Sequence, residues 1–163
     1  MKTILLPKPI FDGKLSLESV LHKRRSGRTY RAGSLTLTEV GQLLWAAQGI
    51  TSVNGYRTAP SAGALYPLEL YLVTGKMEEL SEGVYRYDNH KHTLQLVVEG
   101  DKGAALARAA LGQECVADGS AVLVLAAVYK RTTRKYGKRG IQYVHMEVGH
   151  VSQNLFLQAT ALD

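Results

Sequence analysis

A chain of 163 residues, 45% hydrophobic and 21% charged, has room for one packed core and too much apolar content for a disordered segment. One cysteine, Cys115, excludes an internal disulfide, no Cys/His grouping has zinc-ligand spacing, and no apolar run reaches the ~18 to 20 residues of a membrane helix. The net charge of +6 gathers in two clusters: Lys23, Arg24, Arg25, Arg28 and Arg31, then Lys130, Arg131, Arg134, Lys135, Lys138 and Arg139. These are either two anionic contacts or solvated surface. Ile4-Leu5-Leu6 is cut short by Pro7, Lys8 and Pro9, too soon for a signal-peptide core, so a cytoplasmic location is expected. No repeat, low-complexity tract or linker marks a boundary, and residues 1–163 read as one domain.

After an extended N-terminal arm, residues 14–25 read as a short helix with Leu17, Val20 and Leu21 on one face; Arg24, seven residues after Leu17, shares that face. Thr36-Leu37-Thr38-Glu39 has the form of a capping box and starts a second helix, whose core stripe is Val40, Leu43, Leu44 and Ala47. It ends at Gly49. Residues 50–67, rich in Gly, Ser, Thr and Pro, form a long irregular loop of the kind that often carries function. Residues 68–73 read as a strand, and 83–87 with 93–98 as a hairpin turning at Asp88-Asn89. Asp101 can cap a helix through Leu111.

The apolar run 121–129 has the pattern of a central strand buried on both faces. From Ile141 onward, Val144, Val148, Val151, Leu155, Ala159 and Leu162 recur at helical spacing along the longest helix. The pattern stops at Ala161-Leu162-Asp163 with no glycine cap and an acidic residue at the negative pole of the helix. That favours a domain incomplete at its C-terminus over a natural helix end.

Three local features can carry chemistry. Arg24-Arg25-Ser26-Gly27-Arg28 places guanidinium forks and a hydroxyl where a helix ends, a set suited to a phosphate or other oxyanion. Arg24 can equally be a snorkelling side chain at the rim of the core. The run from Ala59 to Pro67, with Ser61, Ala62 and Gly63 at its centre, lets a planar ligand approach the backbone, or is simply a tight turn. Lys135-Tyr136, within a basic loop, offers two proton-transfer groups side by side, though a solvated loop has the same appearance. His145, Glu147 and His150 do not form a zinc motif: the histidines stand five apart and diverge by roughly 140° on a helix, which leaves them as core or interface residues. No metal is expected.

Taken in order, Arg24-Arg25-Ser26-Gly27-Arg28, Leu44-Trp45-Ala46-Ala47-Gln48-Gly49-Ile50, the stretch from Ala59 to Pro67, and Arg134-Lys135-Tyr136-Gly137 resemble the nitroreductase superfamily, and within it the SagB-like and thiazoline-oxidase-like dehydrogenases. The resemblance implies an α+β fold with a mixed sheet surrounded by helices, and an intertwined homodimer with flavin mononucleotide (FMN) at the subunit interface. It assigns Arg24, Ser26 and Arg28, with Arg25 alongside, to the ribityl phosphate and pyrimidine edge. Ser61, Ala62 and Gly63 fall to the isoalloxazine ring, from the other subunit. Lys135 and Tyr136 match the lysine-tyrosine pair of azoline-oxidising members.

The implied chemistry is hydride transfer at flavin N5, either dehydrogenation of an azoline in a peptide or NAD(P)H-dependent reduction of a small molecule. Members of the superfamily usually continue past the last helix into a further strand and a C-terminal stretch that embraces the partner, which this chain does not show. A rival reading is a non-catalytic module binding an anion, a peptide or a nucleic acid through its basic clusters, with Tyr129, Tyr136 and Tyr143 interleaved.

Overall fold

A computed structural model of the chain describes residues 2–31, 33–75 and 77–162. Its centre is a five-stranded sheet of order β1-β4-β3-β2-β5, formed by β1 (Thr3–Leu5), β2 (Leu68–Thr74), β3 (Gly83–Asp88), β4 (Thr93–Glu99) and β5 (Ala121–Ala127). All four pairings are antiparallel, so among the described residues the sheet is not the mixed one expected. The α+β class holds, with helices α1 (Leu17–Lys23), α2 (Leu37–Gln48), α3 (Gly103–Ala109), α4 (Glu114–Asp118), α5 (Lys130–Tyr136) and α6 (Arg139–Leu162) around the sheet.

The core forms where α2 and α6 lie on one face of the sheet. Val40, Leu44 and Ala47 of α2 and Val144 and Val151 of α6 meet Leu68, Leu70 and Leu72 of β2, with Tyr85 and Leu94 from the hairpin. Alternation along β2 and the three-to-four spacing along the helices put these side chains on facing surfaces. The capping box forms as its sequence dictates: the Glu39 amide donates to Thr36 Oγ1 (3.2 Å) and the Thr36 amide to Glu39 Oε2 (2.7 Å). At the far end of α2, a Cβ on Gly49 would stand 2.1 Å from the Trp45 ring, so only glycine allows that ring to fold back.

Four elements differ from expectation. The N-terminal arm contributes β1, which pairs with β4 as Ile4 sits opposite Leu94. Strand β5 is at the edge rather than the centre, because segment 100–120 carries the chain past β3 and β2 and lays it antiparallel against β2 alone. Its residues Ala121, Leu123, Leu125 and Ala127 pack on the core, but every position of the strand stays half-buried. The basic segment is helical, not a loop: α5 occupies Lys130–Tyr136, and α6 begins at Arg139 rather than Ile141. Finally, His145 and His150 are exposed and are not core residues in this chain; the buried member of that trio is Glu147, at 2% exposure.

Candidate active site

Loop 50–67 is shaped by its own hydrogen bonds. The Thr51 and Thr58 amides donate to the Tyr56 and Gly49 carbonyls, and Ser61 Oγ accepts from the Tyr66 amide at 2.9 Å. Between these anchors, Ala62–Ala64 makes a short 3₁₀ turn in which Gly63 adopts φ +63°. Glycine is required there twice over. The left-handed backbone disfavours a side chain, and a Cβ would lie 2.7 Å from Tyr136 Oη and 2.9 Å from Lys135 Nζ.

The structure therefore brings Ser61, Ala62 and Gly63 together with Lys135 and Tyr136, two groups that lie more than 70 positions apart in the sequence. Their meeting depends on the junction of α5 and α6. A Cβ on Gly140 would come within 2.9 Å of Thr133 Cα, so glycine permits the two helices to touch backbone to backbone. Tyr136 then packs edge-on against Tyr143 with ring centres 5.0 Å apart, and the Lys135 ammonium lies 5.3 Å from the Tyr136 ring centre.

A buried polar group supports this loop from beneath, and neither periodicity nor motif drew attention to it. Arg57 stacks 4.2 Å over the Tyr66 ring, donates from Nη1 to Gln48 Oε1 (2.8 Å), and its amide donates to Tyr66 Oη (3.2 Å). Glu147 rises toward the same group from α6. Burial pushes its carboxyl above the ordinary range, while Ser61, Gln48, Arg57 and His150 act in the opposite direction. Gln48 Nε2, Arg57 Nε and Glu147 Oε1 all lack a partner of hydrogen-bonding geometry. One signal was available in the sequence: Glu147 follows Val144 by three and precedes Val151 by four, which places a carboxylate inside an apolar stripe. Among the described residues no group of three His, Cys, Asp or Glu side chains converges to hold a metal ion.

The first basic cluster lies elsewhere. Arg24 is half-buried at the end of α1, where its amide donates to the Val20 carbonyl (2.9 Å), and it forms no ion pair among the described residues. Arg25 folds back to donate to the His22 (2.9 Å) and Arg24 (2.8 Å) carbonyls, satisfying groups that the helix end leaves open. Ser26 and Arg28 are exposed. A groove of about 870 Å³ runs here, lined by Lys23, Arg25, Gly27 and Tyr30 on one side and by Phe156 and Leu162 of the last turns of α6 on the other.

The two halves of the expected cofactor site thus flank opposite ends of α6. At ~1.5 Å per residue, the stretch from its first turn to Phe156 spans on the order of 20 Å. The structure does not bring Arg24, Arg25, Ser26 and Arg28 to Ser61, Ala62 and Gly63 within one chain.

Comparison with known proteins gives this geometry a setting. A protein of Methanocaldococcus jannaschii named as a candidate nitroreductase is 49% identical over 149 residues, covering 91% of this chain and 75% of its own length. The crystal structure of a candidate nitroreductase from Ralstonia eutropha JMP134 superposes with a TM-score of 0.84 at 27% identity, over 99% of this chain and 73% of that one. A chain of the Escherichia coli microcin synthetase McbBCD complex, solved with truncated pro-MccB17 bound, gives a TM-score of 0.64 at 26% identity, over 95% of this chain and 62% of that one. No described helix is long and apolar enough to cross a membrane. Residues 21–163 match the model of the nitroreductase family, whose oxidoreductases typically use FMN, and on that match and these likenesses the chain belongs to the nitroreductase family.

Proposed function

We propose that this protein is an FMN-dependent oxidoreductase whose active site forms between two copies of the chain. The carrying observation is the contact of Gly63 with Lys135 and Tyr136: a side-chain-free stretch of backbone is held against two groups able to move a proton. Such a surface suits a flat aromatic ring, and the basic groove at the other end of α6 suits an anionic tail. Because no contact joins these features among the described residues, the reading takes them from two copies of a homodimer. Arg24, Arg25, Ser26 and Arg28 of one copy would hold the phosphate-bearing end of FMN, and Ser61, Ala62 and Gly63 of the other its ring.

When bound, FMN supplies hydride acceptance or donation at N5. The chain's own residues do the rest. The turn at Ala62–Ala64 would receive the ring, and Ser61 fixes that turn through its bond from the Tyr66 amide. Lys135 or Tyr136 takes up or delivers the proton that accompanies hydride movement. The substrate read most readily is an azoline in a peptide, in line with SagB-type dehydrogenases; the likeness to a chain of the microcin synthetase complex solved with truncated pro-MccB17 bound favours it. NAD(P)H-dependent reduction of a small molecule is the alternative favoured by the nitroreductase names of the other relatives. A cytoplasmic location belongs to the same proposal.

The test is a titration with FMN, following quenching of flavin fluorescence, with sedimentation run in parallel. Saturable quenching at micromolar FMN together with a dimeric mass supports the reading. An azoline peptide oxidised without added nicotinamide, or NAD(P)H consumed with a small-molecule acceptor and no azoline present, then separates the two substrate classes. Salt-sensitive binding of polyanions with no response to flavin would replace the proposal with a non-catalytic binding module.

A further inference from the structure

A separate cleft of about 430 Å³ lies between loop 50–67, the β3–β4 turn and the start of α5, and none of Ser61, Ala62, Gly63, Lys135 or Tyr136 lines it. Its size falls within the range of small-molecule sites, ~300 to 1,000 Å³. Leu68, Leu70 and Tyr87, all buried, make its apolar side. Three arginines, Arg57, Arg86 and Arg131, make its polar side.

Only one of these cations is uncommitted. Glu69 takes both Arg86, at 2.9 Å, and Arg131. The other carboxylate in the cleft, Asp88, accepts from the amides of its own turn, His90 at 3.0 Å and Lys91 at 3.2 Å. Arg57 is left with the neutral oxygen of Gln48, the face of Tyr66, and an Nε with no partner. Its nearest potential counter-ion, Glu147, is itself pushed toward the neutral form by burial, and desolvation holds Arg57 below the ordinary guanidinium range. Beside it Gln48, 1% exposed, carries an amide nitrogen with no partner. Gln48 also faces the Glu147 carboxyl, so the unmet demand of the cleft is that of the Arg57 guanidinium, half-buried with no carboxylate bonded to it among the described residues, a state that an incoming anion stabilises.

We propose that this cleft binds a carboxylate, borne by a small organic acid or by a peptide C-terminus, with Arg57 as the main anchor. The planar guanidinium fork matches the two oxygens of a carboxylate, and a single free cation matches a single negative charge better than the double charge of a phosphate. Arg131 and Lys135 stand four residues apart on α5, so the bound acid would sit about one helical turn from the proton-transfer pair. The assignment does not depend on flavin.

It can be tested on the full chain by NMR of the arginine Nε–H groups during titration with N-acetylglycine, N-acetylglycinamide, an N-acetylated tripeptide acid and inorganic phosphate. The expected result is a saturable shift of the Arg57 signal with both acids and none with the amide; tighter binding of the tripeptide identifies a chain end as the ligand, and equal binding a free acid. Arg57→Lys keeps the charge but loses the fork, and should weaken acid binding by roughly tenfold at a temperature where the variant is still folded. No saturation with either acid, an equal response to the amide, or binding of phosphate alone would overturn the proposal.

Discussion

At the start of α6, Gly140 lets Thr133 approach to backbone contact, Tyr136 and Tyr143 lock edge to face, and Gly63 is pressed against Lys135 and Tyr136. At its end, Phe156 is 48% exposed, and the neighbouring α1 buries only Val20, leaving Leu17 61% and Leu21 50% exposed. The same helix therefore carries one end that a single chain completes and another that it leaves open. Apolar side chains left in water on a helix face cost free energy that a covering surface recovers, at ~25 cal/mol per Å² of apolar area removed from solvent. On the proposed function the two ends would do different jobs: the first would hold Lys135 and Tyr136 in place before any ligand arrives, and the second would be covered by a second copy of the chain and by the phosphate-bearing end of FMN.

Substitutions at the two ends should therefore fail in different ways. The largest effect is expected for Lys135→Ala combined with Tyr136→Phe, which should lower turnover by about 10² to 10⁴, the usual worth of a positioned proton-transfer group, with flavin affinity nearly unchanged. Single-turnover flavin reduction or reoxidation checks this, and full activity in the double variant would strip the first end of its chemical role. Next in size, Gly63→Ala combines a left-handed backbone with a Cβ 2.7 Å from Tyr136 Oη. A loss of about 1–3 kcal/mol is expected by urea denaturation, with or without flavin. Arg24→Ala should do the reverse, weakening FMN binding by about tenfold or more while moving the apo midpoint by about 0.5 kcal/mol or less; equal losses in apo stability would make Arg24 structural and erase the contrast.

The smallest effect concerns the polar group beneath the loop. Burial raises the folded carboxyl of Glu147 above its ordinary value of 4.5, so the folded state favours the protonated form. Stability from this group is complete below that ordinary value and declines as pH rises through the raised one. Glu147→Gln should remove the decline: its thermal midpoint should match the wild type in acid and exceed it at neutral pH. A variant less stable than wild type at neutral pH would show that the charged carboxylate, paired with Arg57, holds the loop.

What could be read from the sequence divides along the range of the interactions. The capping box of α2, the β3–β4 hairpin and the stripe of α6 depend on residues within a few positions of each other, and each formed where its pattern lies. The edge position of β5 was not legible: seven apolar residues look alike whether one neighbour or two pair with them, and the order of strands is set by where segment 100–120 travels. Helix α5 was hidden for another reason. Its N-cap, Tyr129, makes no capping bond, and its run of charges resembles a solvated loop, so only packing against α6 declares it. Among the candidate site residues, the run around Gly63 and the pair Lys135-Tyr136 are separately visible in the sequence; their contact is not, and although Glu147 stands out within its apolar stripe, its meeting with Gln48 and Arg57 depends on contacts between distant segments.

One consequence follows from the 24 unbroken residues of α6. With both halves of the proposed site hung from its ends, the helix works as a ruler, and its divisions are fixed in angle as well as in length. Inserting one residue near Ser152 would turn everything beyond it by ~100° and shift it by ~1.5 Å, swinging the groove beside Phe156 away from α1. Relatives that share this site should therefore keep the residue count of their central helix between these two points.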